Sequence, residues 1–168
     1  MTRPALLSLC VILAACGTPA GQADGGAAYT IGPEGAGNLK AATPFTLPAI
    51  ERAFPGLDVV TMPDPEMPAF HVRGAGSAAP LYIVTPDWTR GYAGAVATAS
   101  PDVAGPGGVR AGVNRLADVP EALKIGCAPP ETASEITLAC ESPHYRLEFS
   151  GAGANPLLVR QTYLPPLP

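Results

Sequence analysis

Tyr145-Arg146-Leu147-Glu148-Phe149-Ser150 is the stretch that decides the fold. Apolar side chains take every second place, and charged or polar ones take the places between. That period of two belongs to a strand with one dry face and one wet face. Residues 136–140 and 157–164 read as the other strands of this later part of the chain. Upstream, residues 57–61, 70–73, 81–84 and 92–99 read as further strands. The segment 62–68, Met-Pro-Asp-Pro-Glu-Met-Pro, must be a loop, because three prolines remove donors a sheet would need. Residues 101–108 form another loop.

Two helix candidates stand among these strands. In the first, Thr46 can cap, Phe45 and Ile50 occupy staple positions, and Leu47, Ile50, Ala53 and Phe54 share one face before Pro55-Gly56 ends it. The second lies within residues 114–125, with Asp118 and Glu121 placed as a capping box and Gly126 at its end. Pro120 is tolerable only near a helix start, so this helix must be short. The two apolar sets match at a constant offset of 69, Leu47 to Leu116 and Ile50 to Val119. The reading is therefore an α+β domain: a mainly antiparallel sheet of six to seven strands, two short helices, and an arrangement that allows two helix-then-strands halves.

The N-terminus carries a second kind of information. Arg3, an apolar run over residues 5–15 broken only by Ser8, and small residues before Cys16 make a secretory signal. The run is too short to span a bilayer, which takes about 20 apolar residues. Leu13-Ala14-Ala15-Cys16 resembles the box at which bacterial lipoprotein precursors are acylated and cut. Cysteine arithmetic agrees. Cys10 leaves with the signal, and lipidation of Cys16 leaves Cys127 and Cys140 as an even pair. Gly17 rather than an aspartate favours the periplasmic face of the outer membrane over the inner membrane. The expected organisation is a signal at 1–15, a lipidated end and tether at 16–28, and one globular periplasmic domain at 29–168. The tether sequence TPAGQADGGAA reaches about 20 Å on average.

Composition sets limits on function. Removing Arg3 with the signal leaves nine basic against fourteen acidic residues, and no basic stretch, so nucleic acid is not an expected partner. Glycine (19) and proline (21) predict a loop-rich domain. Cys127 and Cys140, in an exported chain, are expected to form a disulfide, since a redox pair would favour C-x-x-C and a metal site would want more nearby histidines than His144.

No residue set names a reaction. His71 alternates with Phe70 and Val72 and reads as a solvated strand residue; His144 sits in a turn after Pro143. No G-x-S-x-G elbow is present, and Gly74 to Ala78 reads as a turn with Ser77 in it. Asp58, Asp64 and Glu66 supply too few oxygens for a metal. The glycine clusters at 35–37, 105–108 and 151–153 lack the context of phosphate loops. Trp88, in the turn 86–91, is expected to pack over a sheet edge. No catalytic residue, metal site or cofactor is assigned.

The ordered set Ile31-Gly32-Pro33, Ala42-Thr43-Pro44-Phe45, Ala53-Phe54-Pro55-Gly56, and Cys127-Ala128-Pro129-Pro130-Glu131 leading to Cys140 resembles the sigma-E-regulated lipoprotein family of Gram-negative bacteria. Pro130 stands where that pattern would have glycine. The resemblance implies an exported, lipid-anchored α+β domain with one disulfide, and it supplies no activity. The expected function is a non-enzymatic envelope-maintenance or stress module that acts by binding. The alternative is a periplasmic inhibitor or assembly factor that engages another protein. A small hydrolase using His71 or His144 with Ser77 ranks last.

Overall fold

The period of two in residues 145–150 becomes the sixth strand of a broad sheet, paired along its length with a neighbour on either side. The computed structural model describes residues 29–64, 66–132 and 134–166. The signal segment, Cys16 and the tether lie outside them. The described residues form eleven strands and one α-helix, so the α+β class is corrected to a mostly β protein. In chain order the elements are β1 (Tyr29–Gly32), β2 (Gly35–Ala36), α1 (Leu47–Ala53), β3 (Asp58–Met62), β4 (Ala69–Arg73), β5 (Pro80–Pro86), β6 (Ala93–Thr98), β7 (Val103–Ala104), β8 (Cys127–Ala128), β9 (Ile136–Ser142), β10 (Tyr145–Ser150) and β11 (Leu157–Tyr163).

The second expected helix is absent for a local reason. Residues 116–118 and 121–123 each make a single 3-10 turn, while Val119 and Pro120 between them are extended, with ψ of 136° and 138°. Proline disfavours the helical region for the residue before it and has no N–H to give, so the two turns cannot fuse. Asp118 still accepts from the Arg115 N–H at 2.8 Å. α1 forms as read, but Thr46 caps through its backbone: the Ala49 and Ile50 N–H groups each donate to its carbonyl at 3.0 Å, and its side chain makes no cap bond.

Eight strands form one antiparallel sheet in the order β3-β4-β5-β6-β11-β10-β9-β8, and β2-β1-β7 form a smaller sheet. The large sheet reads the same from either edge: two four-stranded meanders meet through their last strands. That central seam is short, with Val96, Ala97 and Thr98 of β6 opposite Tyr163, Thr162 and Gln161 of β11. α1 precedes the first meander and the two 3-10 turns precede the second.

The dry face of β10 is as the alternation requires. Tyr145, Leu147 and Phe149 are buried, as are Leu158 of β11 and, farther across the sheet, Tyr82 and Val84 of β5. Each such aliphatic or aromatic side chain contributes about 1.5–3 kcal/mol by leaving water. On the wet face Arg146 pairs with Glu141, its register partner on β9, and Arg160 with Glu148, its register partner across β10–β11, at 3.2 Å. Two buried tyrosines keep their hydroxyls satisfied, as a low-dielectric core demands. Tyr82 donates to the Thr30 carbonyl at 3.0 Å, and Tyr145 donates to Gln161 Oε1 at 2.5 Å. Burial raises the Tyr82 phenol to about 12, and raises that of Tyr145 further.

Cys127 and Cys140 are joined, with Sγ–Sγ 1.95 Å. They face each other directly in the β8–β9 register, Cα–Cα 3.8 Å. The bond fastens a two-residue edge strand to the sheet.

Register also fixes which loops share an end. The β3–β4 loop and the β5–β6 hairpin lie at one end of the sheet, with the β9–β10 turn. The β4–β5 and β10–β11 connections lie at the other. Tyr29 enters at this second end, paired with Val103 just beyond β6 and bordering a hollow that also touches Pro55 and Leu57.

Candidate functional site

The first end of the sheet carries a cleft between two loops. One wall is the β3–β4 loop, with Glu66, Met67 and Pro68; the other is the β5–β6 hairpin, with Asp87, Trp88 and Arg90. Thr85 and Pro86 close its floor, and the cleft holds about 330 Å³. Trp88 is 87% exposed and Met67 67%, which corrects the expectation that the tryptophan packs over a sheet edge.

A dense local network orders the hairpin that carries this indole. Asp87 Oδ2 accepts from the Thr89 hydroxyl at 2.7 Å, and its Oδ1 accepts from the Tyr92 N–H at 3.0 Å. Thr89 Oγ1 in turn accepts from the Gly91 N–H at 3.1 Å. The Asp87 N–H donates to the Tyr92 carbonyl at 2.8 Å and closes the hairpin. Arg90 takes φ +61°, a left-handed conformation that costs a non-glycine residue energy and so needs these bonds around it. The Thr89 hydroxyl, then the backbone donors, hold the Asp87 carboxyl below its ordinary value. Gly94 is required beneath the loop: a Cβ there would stand 2.6 Å from Asp87 N and Cα.

The facing loop is ordered by the same chemistry. Asp64 Oδ1 accepts from the Glu66 and Met67 N–H groups at 2.8 and 3.2 Å, which lowers its carboxyl pKa. Arg90 bridges the walls by donating to the Glu66 carbonyl at 3.4 Å. Asp64 is thus a turn-builder rather than a ligand. The Asp-x-Thr spacing at 87–89, a side-chain turn signal, was the legible sign of a built loop.

The other residues singled out from the sequence are scattered. His71 lies on the open face of the large sheet, its Nδ1 buried without a hydrogen bond. Desolvation first, and the Arg73 charge second, lower its pKa. His144 sits in the exposed β9–β10 turn at φ +66°, with Nδ1 3.1 Å from the Leu164 carbonyl. Ser77 is at the opposite end of the sheet, donating to the Ala79 carbonyl at 3.1 Å. The Ser-His arrangement considered from the sequence is therefore not assembled. Among the described residues no three of His, Cys, Asp and Glu gather as a metal site, and no helix is long and apolar enough to cross a membrane. Cys16 lies outside the described residues.

No family model matches this sequence, and no curated protein does. Among solved structures, the crystal structure of the uncharacterized protein yfeY from Escherichia coli is similar, with a TM-score of 0.57 over 80% of this chain and 99% of that one. At 16% identity, that likeness shows a shared fold and nothing of function.

Proposed function

We propose that the protein is a lipid-anchored component of the cell envelope, held at the periplasmic face of the outer membrane through Cys16, that works by binding rather than by catalysis. It is a member, on this reading, of the sigma-E-regulated lipoprotein family that its sequence resembles. The carrying observation is an opposition of ends. The described chain enters at one end of the sheet, beside Val103, and the exposed Met67 and Trp88 stand at the other. A domain tethered through Tyr29 would turn that apolar end away from the bilayer. Two results test this. Intact-mass analysis of protein from its native membrane is expected to give a chain starting at an acylated Cys16; a chain starting at methionine, or a free N-terminus, overturns the anchor. A photo-crosslinking amino acid at Met67 in cells is expected to trap a partner that the same probe at Val113, exposed elsewhere, does not.

The second reading, an inhibitor or assembly factor for another periplasmic protein, uses the same end. It is favoured by the Met67 side chain projecting from the proline-rich loop. A stoichiometric enzyme in the crosslinked complex would select it.

A further inference from the structure

We infer that the cleft between Trp88 and Met67 is a saccharide site, which takes an uncharged pyranose glycan of the N-acetylhexosamine type. The inference deepens the binding reading above and rests on it.

Three features select this class of ligand. First, the indole is a flat apolar face that stands alone. Trp88 is 87% exposed, on a hairpin whose backbone the Asp87, Thr89 and Tyr92 bonds order. A lone, exposed indole suits a ring that lays its C–H face on the π system. Second, the walls mix chemistry at short range. Met67, Pro68 and Pro86 offer an apolar pocket for an acetamido methyl, while the exposed Glu66 carboxylate and Thr85 hydroxyl lie within the same cleft and accept from sugar hydroxyls or amide N–H. Third, the charge is wrong for polyanions. Glu66 and Asp87 line the cleft against the single cation Arg90, which argues against phosphate-rich ligands.

The cleft faces away from the end at which the chain enters, so a glycan polymer beyond the anchoring membrane is within its reach. The two sources of such chemistry are a cell-wall polymer and the sugars of a glycolipid.

Trp88 is the only tryptophan, so its emission reports on this cleft alone. The test titrates the full chain, reconstituted in phosphatidylethanolamine vesicles, with β-1,4-linked N-acetylglucosamine oligomers. The expected result is a saturable blue shift, with protection from iodide quenching. Binding measured by calorimetry should weaken about tenfold or more in Trp88→Ala and Glu66→Gln, be partly kept in Trp88→Phe, and be unchanged in Val113→Ala. Cosedimentation with purified cell-wall sacculi against lipopolysaccharide then assigns the source. Unmoved emission with no heat up to millimolar sugar overturns the inference, as does binding that survives in Trp88→Ala. If the Met67 crosslinker still traps a protein while sugars fail, the saccharide site falls and the binding end stands. If both fail, both fall.

Discussion

The Tyr145 hydroxyl donates to Gln161 Oε1 across the β10–β11 pair, and both side chains are almost wholly buried. Gln161 also donates to the Val109 carbonyl at 3.4 Å, so this one amide ties the large sheet to the segment that follows β7. Gln161→Leu should cost about 1–3 kcal/mol, because it strands a buried donor. The double variant Tyr145→Phe/Gln161→Leu should recover part of that loss. Urea melts of the four proteins in the cycle check both statements; additive losses would mean the two groups do not act together.

Gly105 sits under the same amide. A Cβ there would lie 2.0 Å from Gln161 Oε1 and 2.7 Å from the Tyr145 hydroxyl. Its φ of −89° suits any residue, so the objection is steric alone. Gly105→Ala is expected to destabilise by about 1–3 kcal/mol, the usual cost of overpacking. Combining it with Gln161→Ala should relieve most of the penalty in thermal unfolding.

Reduction of Cys127–Cys140 should lower stability by about 3 kcal/mol, for a separation of 13 residues. The loss should be local in hydrogen exchange. Amides of β9 and of the segment before β8 should open, while β4 and β5, at the other side of the sheet, keep their protection. Uniform loss of protection would contradict this.

His71 gives a pH dependence with a definite sign. Its folded pKa lies below its ordinary 6.5, so the folded protein prefers it neutral. The stability this contributes is complete above that value and falls as pH drops from about 6.5 toward the folded pKa. The charged groups around it are Arg73 on its own strand and Asp58 across β3–β4; Val60 and Ile83, its register partners, are apolar. His71→Gln should flatten the slope of melting temperature against pH in that window. An unchanged slope would assign it to other groups.

Trp88→Ala should change folding stability by no more than about 0.5 kcal/mol, as expected for an exposed side chain. Gly94→Ala should do more, displacing the hairpin at Asp87. Iodide quenching of Trp88, in wild type and in Gly94→Ala, reads the loop directly: near-maximal access is expected in both, with a broader emission band in the second.

The long strands were readable because each carries its pattern in four or more residues. β3 to β6 and β9 to β11 stand within one or two residues of their predicted bounds. β1, β2, β7 and β8 were not readable: they are two to four residues long, too short to carry a pattern of their own, and they exist through pairing with other segments. Those four, and the second helix lost at Val119-Pro120, are what turned an α+β expectation into a mostly β protein. At the candidate site, the prolines of 63–68 were read correctly as a loop. The exposure of Trp88 was not, because an apolar aromatic is placed inside by default and only the Asp87–Thr89 bonds show the turn to be built around it.

The seam between β6 and β11 sets a timetable for the chain. β6 is finished at Thr98, yet its mate begins only at Leu157. Through the intervening synthesis the first meander carries a raw edge of unpaired amides, a template for any other extended chain. A polypeptide cut short before Leu157 would keep that edge for good, and its fate would be self-association rather than a smaller working domain.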